Sequence, residues 1–125
     1  MSVLPKVSLS GRIVLVTGGT QGIGEGCALA AAEAGAAGVC ITGRNAARGE
    51  AVAGKLRALG ARAHFVAADL SDAAATVGIV AEAEAALGLL DGLVNAAGLT
   101  DRGTVLDTPA ALWDRLFAVN ARGVH

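Results

Sequence analysis

Arg12-Ile13-Val14-Leu15-Val16-Thr17-Gly18-Gly19-Thr20-Gln21-Gly22-Ile23-Gly24 is the stretch that decides the fold. Its first half is apolar without alternation. A run such as Ile13 to Val16 suits a strand buried on both faces of a parallel sheet, because a strand with one wet face would alternate. Arg12 to Thr17 is therefore expected to be a strand. The second half places glycine at 18, 19, 22 and 24, where it permits positive φ and close approach of the backbone to a ligand. A helix beginning at Gly22 would add unpaired N–H groups and the positive end of its dipole, a natural seat for phosphate. The spacing is Gly-x-x-x-Gly-x-Gly, and Glu25 follows Gly24, so the segment is not a P-loop. A tight turn that merely packs helix on strand would use the same glycines, but its place directly after a buried strand favours the nucleotide reading.

Outward from this stretch, strands and helices alternate. The first helix spans Gly22 to Ala34, with Ile23, Cys27, Ala30 and Ala34 on one face and Gly35 as its stop. Val39 to Thr42 is a second strand, and Asn45 to Leu59 a second helix facing inward through Val52, Leu56 and Leu59. His64 to Ala67 is a third strand. Ser71 is placed to cap a third helix running to Leu87, with Val77, Val80 and Leu87 as its core stripe. Leu89 to Asn95 is the fourth strand. Thr108 and Pro109 read as cap and first turn of a last helix, whose inward residues are Leu112, Leu116 and Val119 and which shows no stop before His125. The alternation implies βαβ crossovers. The expected fold is α/β, a Rossmann-type doubly wound parallel sheet represented by its first four strands and their helices. Residues 1–125 are expected to form a single dinucleotide-binding domain, incomplete at its C-terminus, with Leu93 and Val94 on an uncovered edge.

Composition narrows the function classes. The chain has 125 residues, 54% hydrophobic and 17% charged, with a net charge of -1. That balance suits a globular core and offers no basic footprint for nucleic acid or an anionic membrane. Met1 to Ser10 has no apolar run of signal-peptide length. The apolar run from Gly26 to Gly43 contains Glu33 and is broken by Gly35 and Gly38, which argues against a membrane span. Cys27 and Cys40 are read as reduced, buried thiols of a cytoplasmic protein, with no metal site. His64, His125, Trp113 and Asp91 are read as surface, helix-body or strand-end packing residues.

Four motifs in order carry a family resemblance. Thr17-Gly18 with Gly22 and Gly24, Asp69-Leu70 after the third strand, Asn95-Ala96-Ala97-Gly98 after the fourth, and Asn120 in Val119-Asn120-Ala121-Arg122-Gly123 together resemble the N-terminal, cofactor-binding half of the short-chain dehydrogenases/reductases. The resemblance implies cofactor contacts at Gly18, Thr20, Gln21, Gly22, Ile23 and Gly24. It implies that Asp69 and Leu70 meet the adenine, and that Asn95, Ala96, Ala97 and Gly98 border the ribose. Ala96 departs from the family pattern, which has a second Asn there. Asn120 is implied to be part of the catalytic set, organising the proton relay; it also reads as a backbone-bonded Asn at a helix kink.

Cofactor choice turns on the end of the second strand. Gly43 cannot hydrogen-bond ribose hydroxyls as an acidic residue would, and Arg44 suits a 2′-phosphate by charge and fork geometry. Gln21 dissents, because many NADP-dependent members carry a second basic residue there. The expectation is NADP, with NAD possible, and hydride transfer to or from a small carbonyl/alcohol substrate bordered by Leu99 to Asp107. The resemblance also implies a Ser, a Tyr and a Lys that this chain does not supply: it has no Tyr, and Ser71, Lys6 and Lys55 lie in the wrong segments. The 125-residue chain alone is therefore expected to be inactive, and a full-length protein is expected to be a homo-oligomer. A non-catalytic dinucleotide-binding subunit is the alternative. A Rossmann-like methyltransferase is disfavoured, since Gly43 is not acidic and neither Asn120 nor the Asn95–Gly98 turn has a task there.

Overall fold

Four parallel strands pair in the order β3-β2-β1-β4. This computed structural model describes residues 7–125; the reading of the first segment as free of an export signal lies, for residues 1–6 including Lys6, outside them. The elements are β1 (Ile13–Thr17), α1 (Gly22–Glu33), β2 (Gly38–Gly43), α2 (Ala46–Ala58), β3 (Arg62–Ala67), α3 (Ala73–Leu87), β4 (Gly92–Asn95), α4 (Ala110–Asn120) and a 3₁₀ turn, Arg122–Val124. The fold is the expected Rossmann-type half-sheet. From β1 the chain steps outward through β2 to β3, then returns to pair β4 on the other side of β1. The carboxyl ends of β1 and β4 therefore flank the point where strand order reverses, the place where open α/β sheets bind ligands.

The unbroken apolar character of β1 has a direct cause. Val14 and Val16 join Val39, Ile41 and residues of α1 and α2 in one core cluster. Ile13 and Leu15 point the other way, into a second cluster with Cys40, Val66 and Ile79, Ala83 and Leu87 of α3. Both faces are dry, so no residue of β1 from Ile13 to Val16 can be polar without an unpaired buried group. Burial lifts the Cys40 thiol to about 12, helped by the negative charge of Glu82, so it stays protonated and inert. Cys27 is only half-buried.

The helix faces differ from expectation in phase. α1 buries Gly24, Ala28, Ala31 and Ala32, one residue on from the expected face, and Ile23 is 82% exposed. α3 buries Ile79, Ala83 and Leu87, leaving Val77 and Val80 outside. Both helices are built mostly of small apolar residues on every side, so the 3.6-residue period survives while the sequence contrast that would set its phase does not. In α2, Val52 and Leu56 point inward as expected, but Leu59 occupies the C-cap and is exposed. Asn45 caps α2 through Arg48 N.

The caps and ends also move. Asp72, not Ser71, caps α3, accepting from Ala74 N and Ala75 N; the Ser71 hydroxyl donates to Asp69 instead. Pro109 occupies the N-cap position of α4, and the Thr108 hydroxyl donates to the Thr104 carbonyl rather than capping the helix. α4 ends at Asn120 and tightens into the 3₁₀ turn. β4 starts at Gly92 because Asp91 is occupied at the sheet margin. Its carboxylate accepts from Ile13 N at 2.9 Å and lies 3.6 Å from Arg12, while its own N–H donates to Ile13 O. β4 is an edge strand, with Leu93 half-exposed. No helix among the described residues is long and apolar enough to cross a membrane.

Candidate functional site: a cavity at the sheet switch point

A cavity of about 330 Å³ opens at the carboxyl ends of β1, β2 and β4. Its floor is the turn between β1 and α1. Gly18, at φ 66°, donates to the Thr42 hydroxyl at 3.3 Å, and Gly19 N donates to the Thr42 carbonyl at 3.0 Å. The turn is thereby pinned to the end of β2. Two glycines are needed here for the protein's own packing. A Cβ on Gly18 would lie 2.7 Å from Ala97 Cα, and one on Gly24 would lie 1.9 Å from the Gly18 carbonyl oxygen. Close approach at these two positions is thus backbone to backbone, between the glycine turn, the β4 turn and α1.

α1 begins differently from its neighbours. Asn45 and Asp72 cap α2 and α3 with their side chains, whereas Gln21 at the N-cap of α1 makes no such bond. The first N–H groups of α1 therefore keep their capacity for an acceptor outside the helix. Gly22, also at positive φ, has open space where a Cβ would stand. A tight backbone turn and uncapped helix donors beside this cavity together fit the anionic pyrophosphate of a dinucleotide.

The walls come from three other segments. Asp69 and Leu70 stand on one side. Asp69 Oδ1 accepts from both Ser71 N (2.9 Å) and Ser71 Oγ (2.7 Å), and these bonds hold its carboxyl below the usual range, with Arg115 and Arg44 adding to the effect. Its second oxygen lies 3.9 Å from Arg115 Nη2. Ala96, Ala97 and Gly98 form the opposite wall, tied to β1 by Ala97 N donating to Thr17 Oγ1. Arg44 stands at the rim with Thr20 and Gln21.

Eleven of the thirteen residues expected to meet the cofactor line this cavity. Gly22 and Asn95 do not. Gly22 starts α1 at positive φ, and Asn95 pairs with Thr17 in the β4 register, with its side chain exposed. Asn120 is likewise outside the lining, and it is exposed at the end of α4 rather than buried within a helix face. It brackets Leu99: Nδ2 donates to Leu99 O at 2.7 Å, and Oδ1 accepts from Leu99 N at 2.8 Å. Arg115, Val119 and Ala68 line the cavity without having been expected there. For Arg115 a signal existed, since it precedes the inward Val119 by one helical turn.

Comparison with known proteins agrees with this geometry. Residues 12–125 match the family described as short chain dehydrogenase. The chain belongs to that family. An uncharacterized oxidoreductase of Mycobacterium tuberculosis is 39% identical over 123 residues, 98% of this chain and 46% of that protein. The 2-dehydro-3-deoxy-D-gluconate 5-dehydrogenase of Pseudoalteromonas atlantica is 39% identical over 122 residues, 94% of this chain and 46% of that one. A short chain dehydrogenase from Burkholderia cenocepacia, solved in complex with NADP, superposes with a TM-score of 0.89 at 40% identity, over 93% of this chain and 47% of its own. The chain spans about half the length of the relatives it matches.

Proposed function

We propose that residues 1–125 form a dinucleotide-binding unit of an oxidoreductase that moves hydride between NADP(H) and a small carbonyl or alcohol. The observation that carries this reading is the convergence of the uncapped start of α1, the glycine turn and the Ala96–Gly98 turn on one cavity at the sheet switch point. The turn and the first N–H groups of α1 hold the pyrophosphate. Asp69, kept ionised by Ser71, accepts a hydrogen bond from the adenine amino group. Arg44 faces the ribose end, where a guanidinium favours a 2′-phosphate and Gly43 offers no carboxylate to ribose hydroxyls. When bound, the nicotinamide supplies the hydride donor or acceptor. Asn120 acts on the substrate side as a positioning residue, fixing the backbone of Leu99 where the chain leaves the Ala96–Gly98 turn. No tyrosine occurs in the chain, so a relay using one draws it from outside residues 1–125.

Calorimetric titration with NADP⁺ and NAD⁺ tests the reading. Arg44→Ala should weaken NADP⁺ binding by about tenfold, the low end for charge-assisted hydrogen bonds, and leave NAD⁺ nearly unchanged. Equal losses for both nucleotides would place Arg44 on a part of the dinucleotide common to both, and no loss for either would make it a solvated surface residue. Absence of binding by either would remove the dinucleotide assignment.

A further inference from the structure

Beside the nucleotide cavity lies a shallow depression formed by Thr20, Gln21, Arg44, Asn45, Ala46 and Arg48. Thr20, Gln21 and Arg44 belong to both, so the depression continues the cavity past the end of β2. Arg48 is not part of the glycine turn or of the strand end, yet it is bound to the turn directly: its Nη1 donates to Gln21 Oε1 at 2.5 Å. We propose that Arg48, aimed by Gln21, joins Arg44 as the second cationic contact for a 2′-phosphate on the adenosine ribose.

This inference rests on the dinucleotide reading above and changes the role of one residue within it. Gln21 stands where many NADP-dependent members of the family carry a second basic side chain, and it has no charge. Its carbonyl oxygen instead recruits a charge from α2. Holding one guanidinium N–H on Gln21 orients the planar fork and leaves its other donors available to an oxygen acceptor. Among the described residues, neither Arg44 nor Arg48 forms an ion pair, while Lys55 in the same helix is matched by Glu25 at 2.9 Å. Asp69 acts on Arg44 only from beyond ion-pair distance, so two guanidinium groups on one depression still repel each other, and an anion between them relieves that repulsion. Phosphate suits the pair because guanidinium forks bind its oxygens bidentately. The start of α2 does not depend on this side chain, since it is the backbone N–H of Arg48 that bonds to Asn45.

The test uses the full chain and two probes, adenosine 2′,5′-bisphosphate and 5′-AMP, titrated calorimetrically at two salt concentrations. Arg48→Ala should weaken bisphosphate binding by about tenfold, leave 5′-AMP unaffected and flatten the salt dependence of bisphosphate binding. Arg48→Lys should restore part of the loss. Gln21→Leu, which retains the arginine and removes its strut, should give a smaller loss confined to the bisphosphate. Unchanged bisphosphate affinity in Arg48→Ala, with a loss in Arg44→Ala, would overturn the role of Arg48 and leave the dinucleotide reading intact. Equal losses for both probes in Arg48→Ala would reduce Arg48 to a support of the fold. Failure of the unaltered chain to bind either probe would overturn both readings.

Discussion

Gly24→Ala sets two opposed effects on one residue. Gly24 lies in the first turn of α1, and in a helix interior Ala is ordinarily about 1 kcal/mol more favourable than Gly. Here the added Cβ would stand 1.9 Å from the Gly18 oxygen and 2.7 Å from its carbon, so helix and turn must separate by about an ångström. Gly18 has nowhere to go, being hydrogen-bonded to Thr42 on one side and packed on Ala97 on the other. Overpacking of this kind costs about 1–3 kcal/mol or more, and backbone against backbone belongs at the upper end, leaving a net loss of about 2 kcal/mol. Gly26 is the internal control, because it lies in the same helix with nothing within 4 Å of its would-be Cβ. Gly26→Ala should keep the full helical gain of about 1 kcal/mol. With a urea slope of about 2 kcal/mol/M, the midpoint should fall by about 1 M for Gly24→Ala and rise by about 0.5 M for Gly26→Ala. Urea titrations of the two variants, followed side by side by circular dichroism, provide the comparison. If Gly24→Ala matches or exceeds Gly26→Ala in midpoint, the start of α1 is pliable and the Gly18–Gly24 approach constrains nothing.

Three other outcomes follow from the site. Ser71→Ala removes the hydroxyl donor to Asp69 and should raise that carboxyl toward its ordinary value of 3.8; because the native shift is downward, the stability it confers is present above that value and lost as pH falls through the lowered one, and carboxyl-detected NMR titration reads the change. Gly43→Asp, intended to favour NAD, would put its Cβ 2.5 Å from Thr20 Cγ2, so it should lower the melting temperature alone and recover when combined with Thr20→Ala. Asn120→Ala should speed hydrogen exchange at the Leu99 amide and, in a full-length enzyme, lower kcat more than nucleotide affinity; an unaltered kcat would leave Asn120 as a loop fastener only.

The parallel half-sheet, with β4 at its edge, and the glycine turn after β1 were legible because their signals are strong and local. β1 is apolar without alternation, and glycines follow it at once, which is enough to place a βα turn at a switch point. Asp69, Ala96, Ala97 and Gly98 came from the family resemblance and do line the cavity, because short motifs sit at strand ends, where a one-residue error in an element boundary does no harm. The phase of α1 and α3 was not legible: Ala, Gly and Val stand on every side of these helices, and only tertiary contact with the sheet selects which are covered. Ser71 misled for a related reason. Ser and Asp at 71 and 72 are both good caps, and the choice was made by Asp69, which takes the hydroxyl of Ser71 and leaves Asp72 to the helix. Arg48 was invisible because its importance comes from a partner 27 residues away.

The bracket that Asn120 places on Leu99 has a consequence for what this chain can tolerate. The segment from Leu99 to Thr108 is fastened at its beginning by those two bonds, and its far end closes on itself through Asp107 and Thr108 bound to Thr104. Between these fastenings residues 100–103 are all exposed, and within the closing turn Val105 and Leu106 are each 95% exposed. A segment held at both ends can lengthen at small entropic expense, about 0.6 kcal/mol for each doubling. Residues 100–103 can therefore gain or lose length while the walls of the cavity keep their registry, so this is the stretch of the chain where insertions can accumulate without disturbing the cavity at the switch point.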